Sequence, residues 1–390
     1  MRPIARHWRE RPVPTAPRTD AMRRLSRVVF GAALLALGGG RAAQAQGPVL
    51  LQGILDGEAW STNASSNLLT RNLGKPAGLG RLQMWGAYEP VRHWVLYGQV
   101  EGEAGNARST TETHDIYSDQ FGIQYSPMPA LVIDAGRLTP LIGTFSTRRF
   151  STRNPLIGMP DGYSLQYPMG VKVSGETKHF DYRAAMVSLP ADHLGYVPRA
   201  TARLRPAVGG GFTPMVGARI GASFTAGPYL NKSIGATQLA GKTWSAYSQR
   251  VIAFDAAFSR GYLETHAEYA SGSYDVPGRA KAVSGFTYYG EAKYTLSPRF
   301  FLAGRAERNK YPFIRPTASA TWIANLTDFV DGEVGGGYRF TPSTLFKLSA
   351  RGDRWWVRSG ANGFRGRGGY AIAMQVSQAF DVLAWFEGDR

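Results

Sequence analysis

The sequence predicts an all-β fold: a transmembrane antiparallel barrel of about sixteen strands, with short turns at one end and long outer loops at the other. Three observations carry that expectation. After Gln46, apolar and polar residues alternate in runs of about ten residues, the lettering of a strand with one greasy and one wet face. The connections between runs come in two sizes, short and long, in turn. Aromatic residues collect at the ends of runs, where a membrane barrel carries its two interfacial girdles, and a soluble sandwich would place them mid-strand.

Composition agrees. The chain has 390 residues and no cysteine, so disulfides and thiol sites are excluded. Glycine (47), tyrosine (19) and phenylalanine (19) are abundant, as in a large β protein, and no apolar run is long enough for a transmembrane helix. The N-terminus reads as a secretory signal. Arg23, Arg24 and Arg27 precede the apolar run Val28 to Leu37, and Ala43-Gln44-Ala45 fits a cleavage site that starts the mature chain at Gln46. Residues 1 to 21 precede Met22, a second plausible start. Cleavage removes nine of the 45 basic residues and two of the 28 acids, which lowers the formal charge from +17 to +10. A basic exported chain points to anionic solutes or lipopolysaccharide phosphates rather than nucleic acid.

Along the chain, "GVKVSGE" sets Val171 and Val173 opposite Lys172, Ser174 and Glu176. "PRATARLRP" sets Ala200, Ala202 and Leu204 opposite Arg199, Thr201, Arg203 and Arg205. "YYGEAKYTL" sets Tyr288, Ala292, Tyr294 and Leu296 opposite Tyr289, Glu291, Lys293 and Thr295. In "TLFKLSARGD", Phe346, Leu348, Ala350 and Gly352 oppose Lys347, Ser349, Arg351 and Asp353. Short turns are expected at Glu89-Pro90, Ser126 to Pro129, Thr177 to His179, Ser259 to Gly261, Ser297-Pro298 and Thr341-Pro342. Long connections are expected at 104 to 112, 138 to 168, 189 to 197, 227 to 244, 310 to 327 and 357 to 367. Gly209 to Gly211 reads as part of a turn, and Gly335 to Gly337 as close backbone approach in a strand. The girdle residues are Trp94, Tyr125, Tyr294, Phe300, Phe340, Phe346, Trp355 and Trp356. The last strand, "GYAIAMQVSQAF", ends at Phe380, and residues 381 to 390 form a tail.

With its signal peptide, its turns "YTLSPRFFLAG" and "YRFTPSTLFKL", and "GRLTPLIG" leading into a long polar loop, the chain resembles Gram-negative outer-membrane porins. In style it is similar to the phosphate-selective porins of the O and P type, with arginines where that family carries basic residues. The resemblance implies a bacterial outer-membrane channel, a homotrimer, a final strand at Phe380 read by the assembly machinery, and a long loop folded into the lumen.

The candidate for that loop is 138 to 168, the longest connection in the first half. It contains "TFSTRRFSTRNPLIG", in which Arg148, Arg149 and Arg153 lie close together, with Arg137 just ahead. Arginine is always charged and its fork matches carboxylate and phosphate oxygens, so these four would enrich small anions at a constriction. As an exposed outer loop, the same residues would meet only solvent or lipopolysaccharide phosphates. Alternation places Lys172, Arg183, Arg203, Arg205, Arg219, Lys293, Arg305, Lys347 and Arg351 on the lumen face. Acids fall there too, among them Asp181, Asp255, Glu264, Glu268, Glu291, Glu307, Asp331, Glu333 and Asp353. Cross-strand pairs should consume most of these, so anion preference would rest on the surplus in the loop and around Arg199 to Arg205. Glu264, His266 and Glu268 share a strand face, a metal-like spacing more simply read as pore wall. No Ser/His/acid set or phosphate-cradling glycine motif stands out, so no catalytic residue, metal or cofactor is assigned. A plugged barrel with a structural or adhesive role is the competing reading.

Overall fold

A computed structural model describes residues 49–63, 76–106, 114–160, 167–188, 203–230, 241–316, 322–358 and 364–383. Sixteen strands follow one another: β1 (Val49–Thr62), β2 (Ala77–Val91), β3 (Trp94–Gly105), β4 (His114–Met128), β5 (Leu131–Arg137), β6 (Met169–Glu176), β7 (Phe180–Val187) and β8 (Arg205–Met215), then β9 (Ala218–Pro228), β10 (Ser248–Arg260), β11 (Leu263–Tyr274), β12 (Val283–Thr295), β13 (Phe300–Pro316), β14 (Trp322–Arg339), β15 (Thr344–Arg358) and β16 (Phe364–Asp381). Each pairs antiparallel with its neighbours in sequence, and β16 returns to β1 to close the barrel. The seam runs from Gln52 opposite Asp381 to Thr62 opposite Ala371. Phe380 lies over Gly53, where a Cβ would collide with the ring, so this glycine leaves room for the ring at the seam.

The faces are inverted relative to a soluble sheet. On β15, Lys347, Ser349, Arg351 and Asp353 are buried while Leu348 is exposed. The same holds around the cylinder, where Leu55, Leu82, Leu96, Val171, Ile220, Phe254, Leu302 and Ile372 are exposed. An apolar outside on a closed sheet has its natural solvent in lipid. Rings cluster at both rims of this apolar belt. At the short-turn end Trp94 meets Tyr125 at 4.8 Å, Phe180 meets Phe212 at 5.1 Å and Tyr338 meets Phe340 at 5.1 Å. Toward the long-loop end Phe286 stacks between Tyr269 and Tyr288, and Arg308 lies over it.

Several sequence expectations shift. Gly209 to Gly211 lies within β8, and the neighbouring short turn is Val216-Gly217. Glycine there admits the Arg183 and Arg219 side chains from the adjacent strands, a packing demand that composition cannot distinguish from a turn. Of the strand expected over Pro198 to Pro206, the part up to residue 202 lies outside the described residues; β8 begins at Arg205, and Arg203 is exposed ahead of it. The connection expected at 310 to 327 is mostly strand, since β13 runs to Pro316 and β14 starts at Trp322. Likewise β15 runs to Arg358 and β16 starts at Phe364. Polar residues continue these strands because beyond the lipid belt both faces of a strand meet water and alternation ceases. Residues 275 to 282, between β11 and β12, are a further long connection that the sequence reading did not single out. The signal region, residues 1 to 45, and residues 384 to 390 of the tail lie outside the described residues, as does the side chain of Trp355.

Candidate pore constriction

The connection between β5 and β6 spans 138–168, and its base is clamped where the Leu138 N–H donates to the Pro168 carbonyl at 2.8 Å. Apolar anchors lay it against the inner wall. Leu138 and Leu141 pack on Ala185, Val187 and Ala207, the inward residues of β7 and β8. Ile142 packs against a cluster of Tyr229, Leu230, Tyr247, Val251, Tyr274 and Val276. Phe145 is fully buried and meets Tyr289 edge-on at 6.0 Å.

Polar contacts then fix the neck of the loop. Arg183 donates to the Leu141 carbonyl (2.9 Å) and the Gly143 carbonyl (3.1 Å). Gly143 has φ +74°, and a Cβ there would strike the Glu268 carboxylate. Thr144 donates to Glu268 through its N–H (2.9 Å) and its hydroxyl (2.7 Å). The next contacts fall on opposite walls. Arg148 reaches Glu291 on β12 at 2.6 Å and the Tyr289 hydroxyl at 3.2 Å. Arg149 turns the other way, pairs with Asp119 on β4 and stands 3.5 Å from Glu101 on β3. Asp119 is the extra residue of a bulge between Gln120 and Ser118, which lets it meet the loop. The Arg149 guanidinium also lies between the Phe150 and Tyr167 rings at 5.1 Å from each, and Phe150 reaches Trp85 of β2 at 5.5 Å. Burial disfavours the charge on both arginines. For Arg148 the Glu291 carboxylate and the Tyr289 hydroxyl outweigh it, and for Arg149 Tyr167 and Asp119 do, so both titrate above the ordinary arginine value.

The tip of the loop, Ser151 to Gly158, is held through its backbone. Lys347 donates to the carbonyls of Ser151 (2.9 Å), Asn154 (3.1 Å) and Leu156 (3.0 Å). Glu333 accepts the N–H groups of Ile157 (3.2 Å) and Gly158 (3.0 Å). Arg305 donates to the Gly158 carbonyl at 2.7 Å and pairs with Glu333 at 2.8 Å and Glu291 at 3.1 Å.

The four arginines of the candidate constriction therefore do not converge. Arg137 donates to the carbonyls of Tyr167 and Ser118 at the base of the loop. Arg148 and Arg149 brace opposite walls, and Arg153 is exposed with its guanidinium on the Thr147 carbonyl at 3.3 Å. Of the residues expected along the lumen, Lys172 pairs with Asp134 (3.0 Å), Lys293 with Glu264 (2.7 Å), and Arg219 with Asp181 (2.7 Å) and Asp255. Arg351 pairs with Glu307 (2.8 Å) and Asp331. Arg205 is buried and donates to Thr225 and to the carbonyls of Pro228 and Gln249. Arg205, Arg305 and Lys347 face inward but are covered. Arg81 was not singled out from sequence; on β2 it meets Glu103 (2.8 Å), Glu101 (3.1 Å) and Glu58 (3.3 Å), and the alternation Arg81, Gln83, Trp85 would have found it. The surplus charge expected in the loop is thus largely met by wall acids.

What the lumen meets is still unequal. In pair after pair the cation is the more exposed partner: Lys172 at 20% against 4% for Asp134, Arg148 at 15% against 1% for Glu291, Arg81 at 19% against 4% for Glu58. Glu264 and Asp181 reverse the order, and in the Arg305 pairs with Glu291 and Glu333 both partners are buried. A barrel of sixteen strands is too wide for its side chains to fill, so these heads border water.

No known protein family and no curated protein matches the chain. Solved structures do. The outer membrane channel DcaP of Acinetobacter baumannii aligns with TM-score 0.58 and 10% identity over 88% of this chain and 100% of its own. The anion-selective porin from Comamonas acidovorans aligns with TM-score 0.55 and 10% identity over 85% of this chain and 99% of its own. OmpT of Vibrio cholerae, in a trimer form, aligns with TM-score 0.56 and 11% identity over 86% of this chain and 100% of its own. At such identities the likeness is one of fold.

Proposed function

We propose that this barrel is a bacterial outer-membrane porin, a water-filled channel for passive diffusion of small solutes. Residues 138 to 168 narrow it, and it has a mild preference for anions such as phosphate or short carboxylates. One observation carries the preference: in most ion pairs of the wall and the loop the cation is the more exposed partner and the carboxylate the more buried one. A passing ion feels the nearest charges most, because water screens the deeper ones. The mechanism is electrostatic focusing with a steric filter, and no bond is made or broken. The fold likeness to channels and to a trimeric protein supports an outer-membrane location and a homotrimer. The reading also includes export by residues 1 to 45, recognition of the last strand through Phe380 by the assembly machinery, and lipopolysaccharide around the outer rim.

One observation favours a plugged barrel instead: the loop touches walls on both sides of the lumen, at β2 to β4 and at β11 to β15. Planar bilayers separate the two. The porin gives discrete conductance steps whose reversal potential in a KCl gradient leans toward chloride. A silent bilayer with folded protein supports the plug, and a cation-leaning potential removes the anion preference.

A further inference from the structure

We propose that Lys347 sets the position of the inward loop by acting as a tethered ammonium ion inside a cage of main-chain carbonyls. Its side chain is 1% exposed, and its Nζ lies 2.9, 3.1 and 3.0 Å from three loop carbonyls, one for each N–H it carries. Among the described residues no carboxylate pairs with it, although the negative field of Asp56, Glu58 and Glu333 reaches it. A buried cation without a paired acid is tolerated only when its donors are all taken up, and here the loop alone does that. The acceptors lie within six residues, beginning in a tight turn in which the Arg153 and Asn154 N–H groups both donate to the Phe150 carbonyl at 2.8 Å and continuing to Leu156, whose N–H donates to the Asn154 side chain. Three oxygens therefore converge on a point, as they would around a small free cation. A compact ammonium fits such a cage, whereas a planar guanidinium does not. No loop side chain takes part, so Lys347 is a positioning residue that recognises the fold of the turn. It deepens the porin reading, because the aperture depends on where this turn sits.

The chain has no native cysteine, so S151C provides a single, nearly isosteric and buried probe. Its labelling by a small water-soluble thiol reagent is compared in the Lys347 parent, in K347M, which keeps the stem and loses the donors, and in K347A, which also leaves room for an ion. Loss of three charge-assisted hydrogen bonds should speed labelling at least about tenfold in both variants. In K347A, methylammonium should restore protection and tetramethylammonium, which has no N–H, should not. Unchanged labelling in K347M overturns the proposal, as does equal protection by both amines or protection by neither. If K347A does not fold, the K347M comparison still decides. Labelling reads loop position whether or not the barrel conducts, so a silent bilayer would sink the porin reading and leave this one standing.

Discussion

The arginine pair of the neck and the tip of the inward loop are held in opposite ways. At the neck, Arg148 and Arg149 reach out from the loop to acids on the wall. At the tip, Lys347, Arg305 and Glu333 reach out from the wall to the loop's own backbone. The arginine contacts depend on which side chains the loop carries, and a single substitution there removes one, although Arg183 and Glu268 also hold the neck through its backbone. The tip depends on the shape of a turn that Asn154 braces from within, by donating to the Gly158 carbonyl and accepting from the Leu156 N–H, and its grip fails when the wall residue changes. Anchoring by backbone also keeps the tip close to the wall, whereas the neck bridges the lumen.

The largest effect should follow from E333A. It strands the Ile157 and Gly158 N–H groups and leaves Arg305 with one acid fewer, a loss of about 3–5 kcal/mol for a broken buried pair, read from denaturant unfolding of the folded barrel. If E333A costs no more than R148A, the contrast between tip and neck fails. R149A should come next at about 2 kcal/mol, because Asp119 loses the partner that covers it, and R148A should cost about 1 kcal/mol, because Glu291 keeps Arg305. Taken together, R148A, R149A and R153A should pull the reversal potential toward zero. An unmoved potential would show that the neck braces the barrel without shaping its selectivity. The smallest stability effect belongs to R153A, within about 0.5 kcal/mol, since its guanidinium is exposed. Its contribution to anion bias should fade between 0.1 M and 1 M KCl, as the Debye length shrinks from about 10 Å to about 3 Å. The paired neck arginines should show less of that dependence.

Much of the barrel was legible in the letters. Period-two alternation on β12 and β15 assigned inner and outer faces residue by residue, and the turn chemistry at Ser297-Pro298 and Thr341-Pro342 located two hairpins. It failed where alternation stops carrying information: at the outer ends of β13 to β16, where both faces are wet, and at Gly209 to Gly211, where glycine serves packing in a strand. β5 ends at Arg137 and β6 begins at Met169. The roles of the arginines between them could not be read from the letters. Arg148 and Arg149 are adjacent in sequence and answer to residues about 140 and 30 positions away, on opposite walls.

By itself, then, the sequence determined the cylinder, because a strand's side chains alternate with a fixed period and lipid and water sort them without reference to any distant residue. Only the tertiary structure decided which charges remain available to a solute. Ion pairing and carbonyl capture depend on approach within a few ångströms between residues far apart in the chain, and no local pattern encodes that distance.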